Sequence, residues 1–562
     1  MSIIQLNSGN CKNCYKCVRE CPIKSIQFKE ERAKIIDNEC ILCGTCVESC
    51  PQNAKYVKND VENVKRLIAS GKPVYASIAP SWVGWYQTNE FEKISKALKK
   101  LGFAAVEETA IGAAETSREY AALLKNGRMK NIIVTACSSI VMLIERHYPE
   151  LINMLAPVSS PMMAHARLMR ESYGDIKVVF IGPCLSKKNE AEDPLAGGLV
   201  NYSLTFADVD DWLRSEEIAI DEPDTDAVGL KNTAARLYPK PGGIIKTIGD
   251  ANFGIYKKIA ADGIDNCKLL FESIINSNLT GLFIEANLCD GGCMGGPVMR
   301  IGKRNHIITQ LELAENKQPR DSRPAASALI QFTHPRVFTN RSSAYPVPSE
   351  DVIRAILAKT GKYTPEQELN CSSCGYPTCR DKAIAVYQGK ADINMCLPFF
   401  RDRAENISTT VIEHSPNAIL ALDSDMLLQE VNPTAINMFN LDKATCIGKP
   451  IPDFAGDSSF EQCRESGKAV CKKTVLSNGL TVEQTTIYIK EHNIYIAFVK
   501  DISVEENNRR ELDKLRIETI GVAQNVIDKQ MRVAQEIASL LGETTAETKV
   551  ALTNLKKTMS KT

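Results

Sequence analysis

The spacing of its cysteines limits what this chain can fold into more than any other feature. Residues 11–22 read CKNCYKCVRECP and residues 40–51 read CILCGTCVESCP, so both follow C-x2-C-x2-C-x3-C-P. Each cysteine of the second run lies 29 residues after its counterpart in the first. A loop with a thiolate at every third residue can hold three corners of a 4Fe–4S cube, while the fourth cysteine, before proline, ligates the other cube. The spacing therefore predicts two clusters.

This pattern gives one ligand set for each cluster. Zinc also accepts four thiolates, but zinc sites seldom have the third cysteine or the trailing Cys-Pro. Over residues 1–60 the chain resembles bacterial two-cluster ferredoxins, which implies a module that transfers single electrons. The sets are Cys11, Cys14, Cys17 and Cys50 for one cluster, and Cys21, Cys40, Cys43 and Cys46 for the other.

Composition narrows the class of protein. Twenty cysteines would suggest disulfides in an exported protein but metal sites in a cytoplasmic one. The first residues contain no basic segment followed by an apolar core, and no apolar stretch approaches the roughly 18 residues of a transmembrane helix. The 68 basic and 68 acidic residues balance, which gives no reason to expect nucleic acid or an anionic membrane as partner. We therefore expect a cytoplasmic protein without a membrane span.

Between residues 74 and 335, strand-like and helix-like segments alternate. The apolar runs VYASIAP, NIIVTAC, KVVFIGPC and GLFIEANLC are separated by helical patterns such as FEKISKALKKLG. This alternation predicts an α/β region with parallel strands, whose carboxyl ends are where such folds bind ligands. Three loops at these ends carry cysteines: VTACSS, IGPCLSKKNE and IEANLCDGGCMGG.

These loops supply Cys137, Cys184, Cys289 and Cys293, enough thiolates for a further 4Fe–4S cube. In order and spacing they resemble the motifs of the H-cluster domain of iron-only (FeFe) hydrogenases, approximately TSCCP, MPCxxKxxE and ExMxCxxGCxxGG. The resemblance implies that the four cysteines hold the cube. It also implies that Cys293 bridges to a di-iron unit carrying CO, cyanide and a dithiolate with a central amine.

The same resemblance assigns roles to side chains around the di-iron unit. Lys187 matches the motif lysine that hydrogen-bonds a cyanide ligand, and Glu190 matches a glutamate on the family's proton route. The alternative for these two is an exposed i, i+3 ion pair on a helix. The implied pocket positions are Ala79, Pro80, Gly182 and Asn287, of which the last two replace methionines of the family.

The chain departs from the family pattern in its proton route. Aligning IERHYPEL with the family's glutamate and YPEL makes Cys137 the cube ligand and puts Ala136 at the proton-relay position. The family's serine on this route falls on Ala156, and Glu115 and Glu119 are candidate replacements. A methyl group cannot carry a proton, and losing a positioned proton-transfer group costs about 10²–10⁴ in rate. The resemblance therefore implies a site that splits H2 slowly.

A third cysteine set consists of CSSCGYPTC at residues 371–379 and a later cysteine in NMCLPF. It resembles the single 4Fe–4S domain of some membrane electron-transport subunits and corrinoid proteins. Zinc stays an alternative, because four thiolates alone do not distinguish the two. The implied ligands are Cys371, Cys374, Cys379 and Cys396; the remaining cysteines, Cys267, Cys446, Cys463 and Cys471, are interpreted as small buried hydrophobes.

After residue 404 the cysteine clusters stop. The segment that opens IEHSPNAILALDSDMLLQEVNP and closes IYIAFVKDIS resembles a PAS domain, without a motif for haem or flavin. From about residue 505 a charged helical tail has apolar residues seven apart, among them Ile520, Ile527 and Ala534. The repeat predicts a coiled coil or helical hairpin that pairs two chains, with one helix packed on the PAS domain as the alternative. The tail contains no histidine, so a kinase or phosphatase is expected to be a separate partner.

We therefore predict a multidomain α+β and α/β protein with three 4Fe–4S clusters and an H-cluster. The resemblance implies a sensory, PAS-containing FeFe hydrogenase that exchanges electrons with a carrier such as ferredoxin. The alternatives are an ordinary ferredoxin-dependent hydrogenase with a regulatory tail and a non-catalytic, hydrogenase-like iron–sulfur protein. The predicted domains are a two-cluster ferredoxin module (1–60), an α/β H-cluster domain (61–345), a single 4Fe–4S domain (346–402), a PAS domain (403–504) and a helical tail (505–562).

Overall fold

The computed structural model describes residues 2–29, 32–224, 234–315, 335–442, 445–454, 457–541 and 546–559. The chain divides into two compact units, Met1–Phe399 and Phe400–Thr562. Segments 225–233 and 316–334 of the predicted H-cluster domain, and parts of the predicted tail, lie outside the described residues.

The first cysteine runs fold into a small module of antiparallel strand pairs and short helices. Its elements are β1 (Ile4–Leu6), α1 (Lys16–Glu20), β2 (Ile26–Lys29), β3 (Arg32–Ile35), α2 (Thr45–Glu48) and β4 (Lys55–Val57). β1 pairs with β4, and β2 pairs with β3. The equivalent positions Asn13 and Leu42, and Tyr15 and Gly44, all have positive φ. The 29-residue repeat of the sequence is therefore also a repeat of left-handed loop backbone, a conformation that is held by its surroundings.

The described part of the next region forms two parallel sheets. The strands are β5 (Val74–Ile78), β6 (Ala105–Glu108), β7 (Asn131–Ile133), β8 (Lys177–Gly182), β9 (Tyr202–Thr205), β10 (Lys257–Asp262) and β11 (Leu282–Asn287). One sheet has the order β6-β5-β8-β9 and the other the order β10-β11-β7. Every pairing is parallel, which confirms the predicted α/β region.

Helices pack on these sheets because their strands are apolar on both faces. Val178, Val179 and Ile181 of β8, for example, are completely buried. The helices are α3 (Val61–Ala69), α4 (Trp82–Tyr86), α5 (Phe91–Lys100), α6 (Ala110–Asn126), α7 (Ser138–His147), α8 (Pro161–Tyr173), α9 (Ser186–Glu192), α10 (Phe206–Ser215), α11 (Gly243–Ile248), α12 (Ile264–Ser277), α13 (Pro297–Ile301) and α14 (His306–Glu315). Short 3₁₀ segments lie at Pro149–Met154, Pro194–Ala196, Ala234–Leu237, Asp250–Asn252, Gly292–Gly295, Pro365–Gln367, Ile393–Met395 and Pro452–Phe454.

The third cysteine set lies in a small domain with α15 (Glu350–Ala358) and α16 (Cys379–Tyr387). This domain packs directly on the N-terminal module. Lys24 Nζ donates a hydrogen bond to the carbonyl of Gly375 at 2.8 Å, and Lys390 forms a 2.7 Å ion pair with Glu39. Each of these contacts joins residues 351 positions apart. Tertiary packing therefore places the third cysteine set beside the first module.

The second unit contains an antiparallel sheet that follows α17 (Leu397–Glu413). β12 (Ala418–Leu422), β13 (Leu428–Val431), β14 (Val470–Val475), β15 (Thr481–Ile489) and β16 (Ile494–Asp501) pair in the order β13-β12-β16-β15-β14. α18 (Pro433–Met438) packs on β12, and α19 (Ser458–Ser466) packs on β14 and β15. The strand pair, helix and exit strand expected of a PAS-like segment are confirmed.

The tail forms α20 (Ser503–Leu541) and α21 (Ala546–Met559), so its predicted helical character is confirmed. Large apolar side chains along α20 are exposed in the single chain, among them Leu515, Val526 and Val533. The alternative in which the PAS domain covers this helix does not bury them. Among the described helices, none is both long enough and apolar enough to cross a membrane.

Candidate metal centre

The ends of three parallel strands carry the four cysteines of the second set. Cys137 follows β7 and precedes α7, Cys184 follows β8, and Cys289 and Cys293 follow β11. Ligand sites form at the carboxyl ends of such strands because the loops there are not hydrogen-bonded into the sheet and can converge. The two sheets thus contribute jointly to one site.

The loop that carries Cys289 and Cys293 turns tightly, and only glycine fits at two of its positions. A Cβ atom on Gly292 would lie 2.3 Å from the carbonyl oxygen of Pro239. One on Gly295 would lie 1.8 Å from the carbonyl oxygen of Asp290. Because glycine lacks this atom, the backbone can approach a bulky group closely. This explains the GGCMGG sequence that accompanies the cysteines.

The thiols of this set act on each other's ionisation, which places them in one neighbourhood. Burial raises the pKa of Cys289 well above its usual range, and Cys184, Cys137 and Cys293 raise it further. The pKa values of Cys137 and Cys293 are raised in the same way, first by burial and then by Cys184. Thiols in such surroundings lose their protons when they bind a metal group, because the charge of the metal stabilises the thiolate. The donor set therefore fits a polynuclear iron cluster.

A cavity of about 100 Å³ lies beside Cys293. Ser81 lines it with a fully buried hydroxyl that has no hydrogen-bond partner among the described side chains and backbone. An unsatisfied buried hydroxyl costs about 1–3 kcal/mol, so it fits a cavity meant for a group with polar ligands. The predicted pocket residues in its wall are Ala79, Pro80 and Asn287, together with Ala136 and Lys187.

At Gly182, predicted to replace a methionine of the family, a neighbouring aromatic ring fills the space beside the backbone. A Cβ atom on Gly182 would lie 2.7 Å from the ring of Phe180 and 3.1 Å from the Cβ atom of Ala79. Phe180 itself lines the cavity. The phenyl ring therefore occupies space that a methionine at position 182 would need.

Lys187 and Glu190 form a buried ion pair, so the exposed alternative is wrong. The Nζ atom of Lys187 lies 2.5 Å from Glu190 Oε2 and donates to the carbonyl of Ala136 at 3.1 Å. Glu190 also accepts from the hydroxyl of Ser138 and from Arg336, the latter at 2.7 Å. Burial alone would raise the pKa of Glu190, but Lys187 and Arg336 outweigh it and hold this pKa at about 2. A carboxylate that acidic holds an ammonium group better than it relays protons near neutral pH.

The two positions that the resemblance assigns to a proton route carry apolar side chains. Ala136 and Ala156 belong to the same apolar cluster. Of the candidate replacements, Glu115 forms a 2.7 Å pair with Arg118, whose side chain is largely exposed. Glu119 is buried, and burial raises its pKa to about 7.

The structure brings the cysteines of the N-terminal module together in two groups. The pKa of Cys17 is raised by burial and then by Cys11, Cys14 and Cys50, all of which line one cavity with it. The pKa of Cys46 is raised by burial and then by a different group, Cys40, Cys43 and Cys21. Each fourth cysteine therefore lies with the other run.

The third cysteine set also lines a single cavity, and lysines lie beside it. Lys362 Nζ donates to the sulfur of Cys396 at 3.4 Å. Burial lowers the pKa of Lys382, while Cys396 and Cys374 raise it. Among the described residues, no three His, Cys, Asp or Glu side chains converge on the position of a single metal ion. The structure therefore brings the four predicted ligands together around one cavity, which is lined by Cys371, Cys374, Cys379 and Cys396.

Gly44, between Cys43 and Cys46, packs against residues that flank the second cysteine set. A Cβ atom on it would lie 2.6 Å from the Cβ atom of Pro297 and 3.0 Å from Leu185 Cδ1. We expect Gly44→Ala to destabilise the protein by about 1–3 kcal/mol more than Gly71→Ala, because it overpacks this contact. Gly71 is a matched control: its φ of 82° is close to the 80° of Gly44, but open space surrounds it. Urea unfolding followed by circular dichroism measures the difference, and equal losses would contradict the contact.

Glu285 gives the stability of the α/β region a pH dependence. It is completely buried and accepts from the N–H of Ile245 at 3.0 Å, and burial raises its pKa to about 7. Because this folded-state pKa exceeds the unfolded value, its stabilisation is complete below about pH 4.5 and is lost as the pH rises through 7. We expect a loss of about 2–3 kcal/mol between pH 5 and 8 that Glu285→Gln abolishes.

Tryptophan emission during urea unfolding tests this expectation, since the three tryptophans, Trp82, Trp85 and Trp212, all lie in the same α/β region. The urea concentration at the unfolding midpoint is compared between pH 5 and pH 8, for the wild type and for Glu285→Gln. An identical pH slope in the wild type and in Glu285→Gln would contradict the assignment.

Several residues of the site were not anticipated from the sequence. Ser81 could have been found, because it directly follows the Ala79–Pro80 segment that the motifs implied. Glu285 could also have been found, because it falls on the glutamate that opens the motif ExMxCxxGCxxGG. Phe180 lies in an apolar strand run, where it resembles an ordinary core position. Arg336 has no local signal at all, since its partner Glu190 lies 146 residues away.

Protein-family models match four parts of the chain. Residues 3–65 match the 4Fe-4S dicluster domain, and residues 72–297 match the C-terminal domain of the iron only hydrogenase large subunit. Residues 367–398 match an Fe-S cluster family, and residues 409–501 match the PAS fold. These matches fall on the cysteine sets and on the antiparallel sheet described above.

The chain is similar to known hydrogenases. It is 24% identical over 409 residues to iron hydrogenase 1 of Clostridium pasteurianum, which covers 54% of this chain and 70% of that protein. It is 24% identical over 334 residues to the NADP-reducing hydrogenase subunit HndD of Solidesulfovibrio fructosivorans, covering 47% of this chain and only 56% of that protein. A solved structure of an FeFe-hydrogenase HydA1 variant from Chlamydomonas reinhardtii matches with a TM-score of 0.42 and 16% identity, over 51% of this chain and 100% of that one. The chain therefore combines the C-terminal domain of an iron-only hydrogenase with a 4Fe–4S dicluster domain and a PAS domain.

Proposed function

We propose that this protein is a sensory FeFe hydrogenase. It splits H2 reversibly and slowly at an H-cluster and passes its redox state through 4Fe–4S clusters to the PAS domain and the helical tail. One observation carries the proposal: Cys137, Cys184, Cys293 and Lys187 line one cavity, yet Ala136 presents only a methyl group to it.

An H-cluster, when bound, supplies the metal centre at which H2 is converted to two protons and two electrons. Residues of this chain would prepare the surroundings. Lys187, held in place by Glu190, would donate a charge-assisted hydrogen bond to a cyanide ligand. Phe180 and Pro80 would exclude water from the cavity. The cube would be held by Cys137, Cys184, Cys289 and Cys293, with Cys293 shared with the di-iron unit.

The proposed electron path leaves the site through the cluster of Cys21, Cys40, Cys43 and Cys46. Its support is the contact of Gly44 with Leu185, the residue after Cys184. The third cysteine set lies on the same module: burial lowers the pKa of Lys24, while Cys21 and Cys374 raise it. The pKa of this one ammonium group is thus raised by a cysteine from each of the two sets. This supports transfer onward to a third cluster.

The proposed output uses the second unit. A homodimer formed through the PAS domain and α20 would cover Leu515, Val526 and Val533, which are exposed in the single chain. We propose a separate kinase or phosphatase as receiver and a ferredoxin as electron carrier. All twenty cysteines lie among the described residues and none is in a disulfide, which suits a cytoplasmic setting where thiols stay reduced and can bind metal clusters.

Infrared spectroscopy of anaerobically matured protein under titration with H2 tests the proposed function. We expect bands of iron-bound CO and cyanide that shift reversibly with H2, together with slow turnover in the same sample. Absence of these bands in protein whose 4Fe–4S clusters are fully loaded would overturn the hydrogenase activity and indicate a non-catalytic iron–sulfur protein.

A second candidate is an ordinary ferredoxin-dependent hydrogenase with a regulatory tail. The buried Glu119, with a pKa raised to about 7, favours it, because such a group could still relay protons. CO and cyanide bands accompanied by rapid turnover would decide for this candidate and against the sensor.

A further inference from the structure

A chain of hydrogen-bonded side chains connects the cavity with the protein surface. Thr109 lines the cavity, and its hydroxyl lies 2.8 Å from the hydroxyl of Ser77. Ser77 Oγ lies 2.8 Å from Nδ1 of His165, and Nε2 of His165 lies 3.1 Å from Glu107 Oε2. Tyr173 donates from its hydroxyl to Glu107 Oε1 at 2.6 Å and is 42% exposed. The chain is continuous from cavity wall to solvent.

We propose that Thr109, Ser77, His165, Glu107 and Tyr173 form a proton path that replaces the relay lost at the two alanine positions. This inference rests on the proposed function, because it provides the exit for protons released when H2 is split.

The inner members of the path are sealed from solvent. Ser77 and His165 are completely buried, Thr109 is 4% exposed and Glu107 is 6% exposed. Mutual hydrogen bonds satisfy these groups, but apolar residues of similar shape would pack about equally well. Stability therefore does not require a polar chain at this place, and stability alone does not explain why the chain reaches both the cavity and the surface.

Regular elements hold the path in place. Ser77 on β5 and Glu107 on β6 are register partners in the parallel sheet, and Thr109 follows β6. His165 and Tyr173 both lie on α8. This helix approaches α6 closely because Gly112 has no side chain: a Cβ atom there would lie 2.5 Å from the backbone nitrogen of His165. The path is thus built on rigid elements.

Each member of the path can accept one proton and release another. Hydroxyl groups both donate and accept, and a histidine ring accepts at one nitrogen while releasing from the other. A proton arriving at the Thr109 oxygen moves its hydroxyl proton to Ser77, the Ser77 proton moves to Nδ1 of His165, and the Nε2 proton moves to Glu107. The protonated carboxyl group of Glu107 then turns to give this proton to the Tyr173 hydroxyl oxygen, and the Tyr173 hydroxyl, which donates to Glu107 at rest, releases its own proton to water. Every hop breaks one O–H or N–H bond and forms another, so no electron or co-reactant is needed.

The test uses the full chain, matured anaerobically, with Ser77→Ala, His165→Phe and Glu107→Gln. Thr116→Val is the matched control, since Thr116 is equally buried but its hydroxyl donates to the carbonyl of Gly112 at 2.9 Å, outside the path. We expect CO and cyanide bands that respond to H2 in every protein. Isotope exchange between H2 and D2O should fall by about 10²-fold in the path variants only.

A second measurement is independent of turnover. Infrared difference spectra between H2 and argon should contain a carboxylic acid carbonyl band that shifts in D2O, and Glu107→Gln should abolish it. Proton transfer through Glu107 predicts this band, whereas a purely structural role for the carboxylate does not.

Each outcome separates the path from the proposed function. Wild-type exchange rates in Ser77→Ala and Glu107→Gln, with intact CO and cyanide bands, would overturn the path alone. Absence of these bands in the unsubstituted chain would overturn both. If a buried variant fails to assemble the site, Tyr173→Phe at the exposed end decides: slower exchange supports the path, and unchanged exchange with an unchanged carbonyl band overturns it.

Discussion

Cys293→Ala is expected to abolish the infrared bands of iron-bound CO and cyanide and all H2-dependent activity. The thiol of Cys293 lines the cavity, and Cys184 and Cys137 raise its pKa. It therefore lies where the cube and the di-iron unit would meet. Without it neither group has its full set of ligands, and we expect the di-iron unit to be lost with its proposed bridge to the cube. Infrared spectra and iron content of the matured protein measure the loss.

Cys267→Ala is the matched control for this substitution. Burial, followed by the nearby Cys137, raises the pKa of Cys267 to about 12, so it shares the environment of the ligands. Its sulfur, however, contacts the backbone oxygen of Asn287 at 3.5 Å, and it lies on α12 outside the ligand loops. We expect it to keep the bands and to cost roughly 1 kcal/mol of stability. Bands that survive Cys293→Ala, or that vanish equally in Cys267→Ala, would show that the ligand assignment is wrong.

The cysteine ligands could be predicted from the sequence because their chemistry is local. A cube needs several thiolates from one short loop, so the spacing of Cys11, Cys14 and Cys17 already limits the fold of that loop. The left-handed backbone at Asn13 and Tyr15 follows from the same requirement. The position of the third cysteine set on this module could not be predicted, since it depends on contacts between Lys24 and Gly375, 351 residues apart.

The parallel pairing of the strands could be predicted from the sequence, but which strands pair with each other could not. Apolar runs long enough for a strand and separated by helices indicate parallel pairing, and the structure confirms it. The runs nevertheless divide between two sheets: β5 pairs with β8 in one, whereas β7 pairs with β11 in the other. Pairing depends on which helix faces fill the space between strands, and this is a property of the packed domain rather than of any run.

Burial of charged groups was the point at which local reasoning failed. Lys187 and Glu190 are spaced like an exposed pair on a helix, and their burial depends on Arg336, which comes from a distant segment. The proposed proton path likewise depends on residues that are far apart in the sequence. Ser77, His165 and Glu107 lie on three different elements, and each alone resembles a satisfied core residue. Their connection exists only in the folded domain.

Glu190→Ala is expected to destabilise the hydrogenase region by about 3–5 kcal/mol, because it leaves buried cations without a counter-charge. The side chains of Lys187 and Arg336 are only 11% and 10% exposed. The control is Asp211→Ala, which breaks a pair with Arg214 of the same i, i+3 spacing but with side chains 69% and 76% exposed. Such a pair contributes little, so its loss should leave the unfolding midpoint nearly unchanged. Urea unfolding at pH 7, followed by tryptophan emission, measures both.

The pH dependence of Glu190→Ala distinguishes an ionic anchor from a proton carrier. The pKa of Glu190 in the folded state is about 2, below the unfolded value, so its stabilisation is complete above about pH 4.5 and is lost only as the pH falls through 2. The difference in stability between wild type and variant should therefore be constant from pH 6 to pH 8. A carboxyl group that takes up protons during turnover would need a pKa near the working pH, and the difference would then change across this range. A constant, large difference means that Glu190 acts by holding Lys187 at the cavity; a sloping difference, or one as small as that of Asp211→Ala, means that it does not.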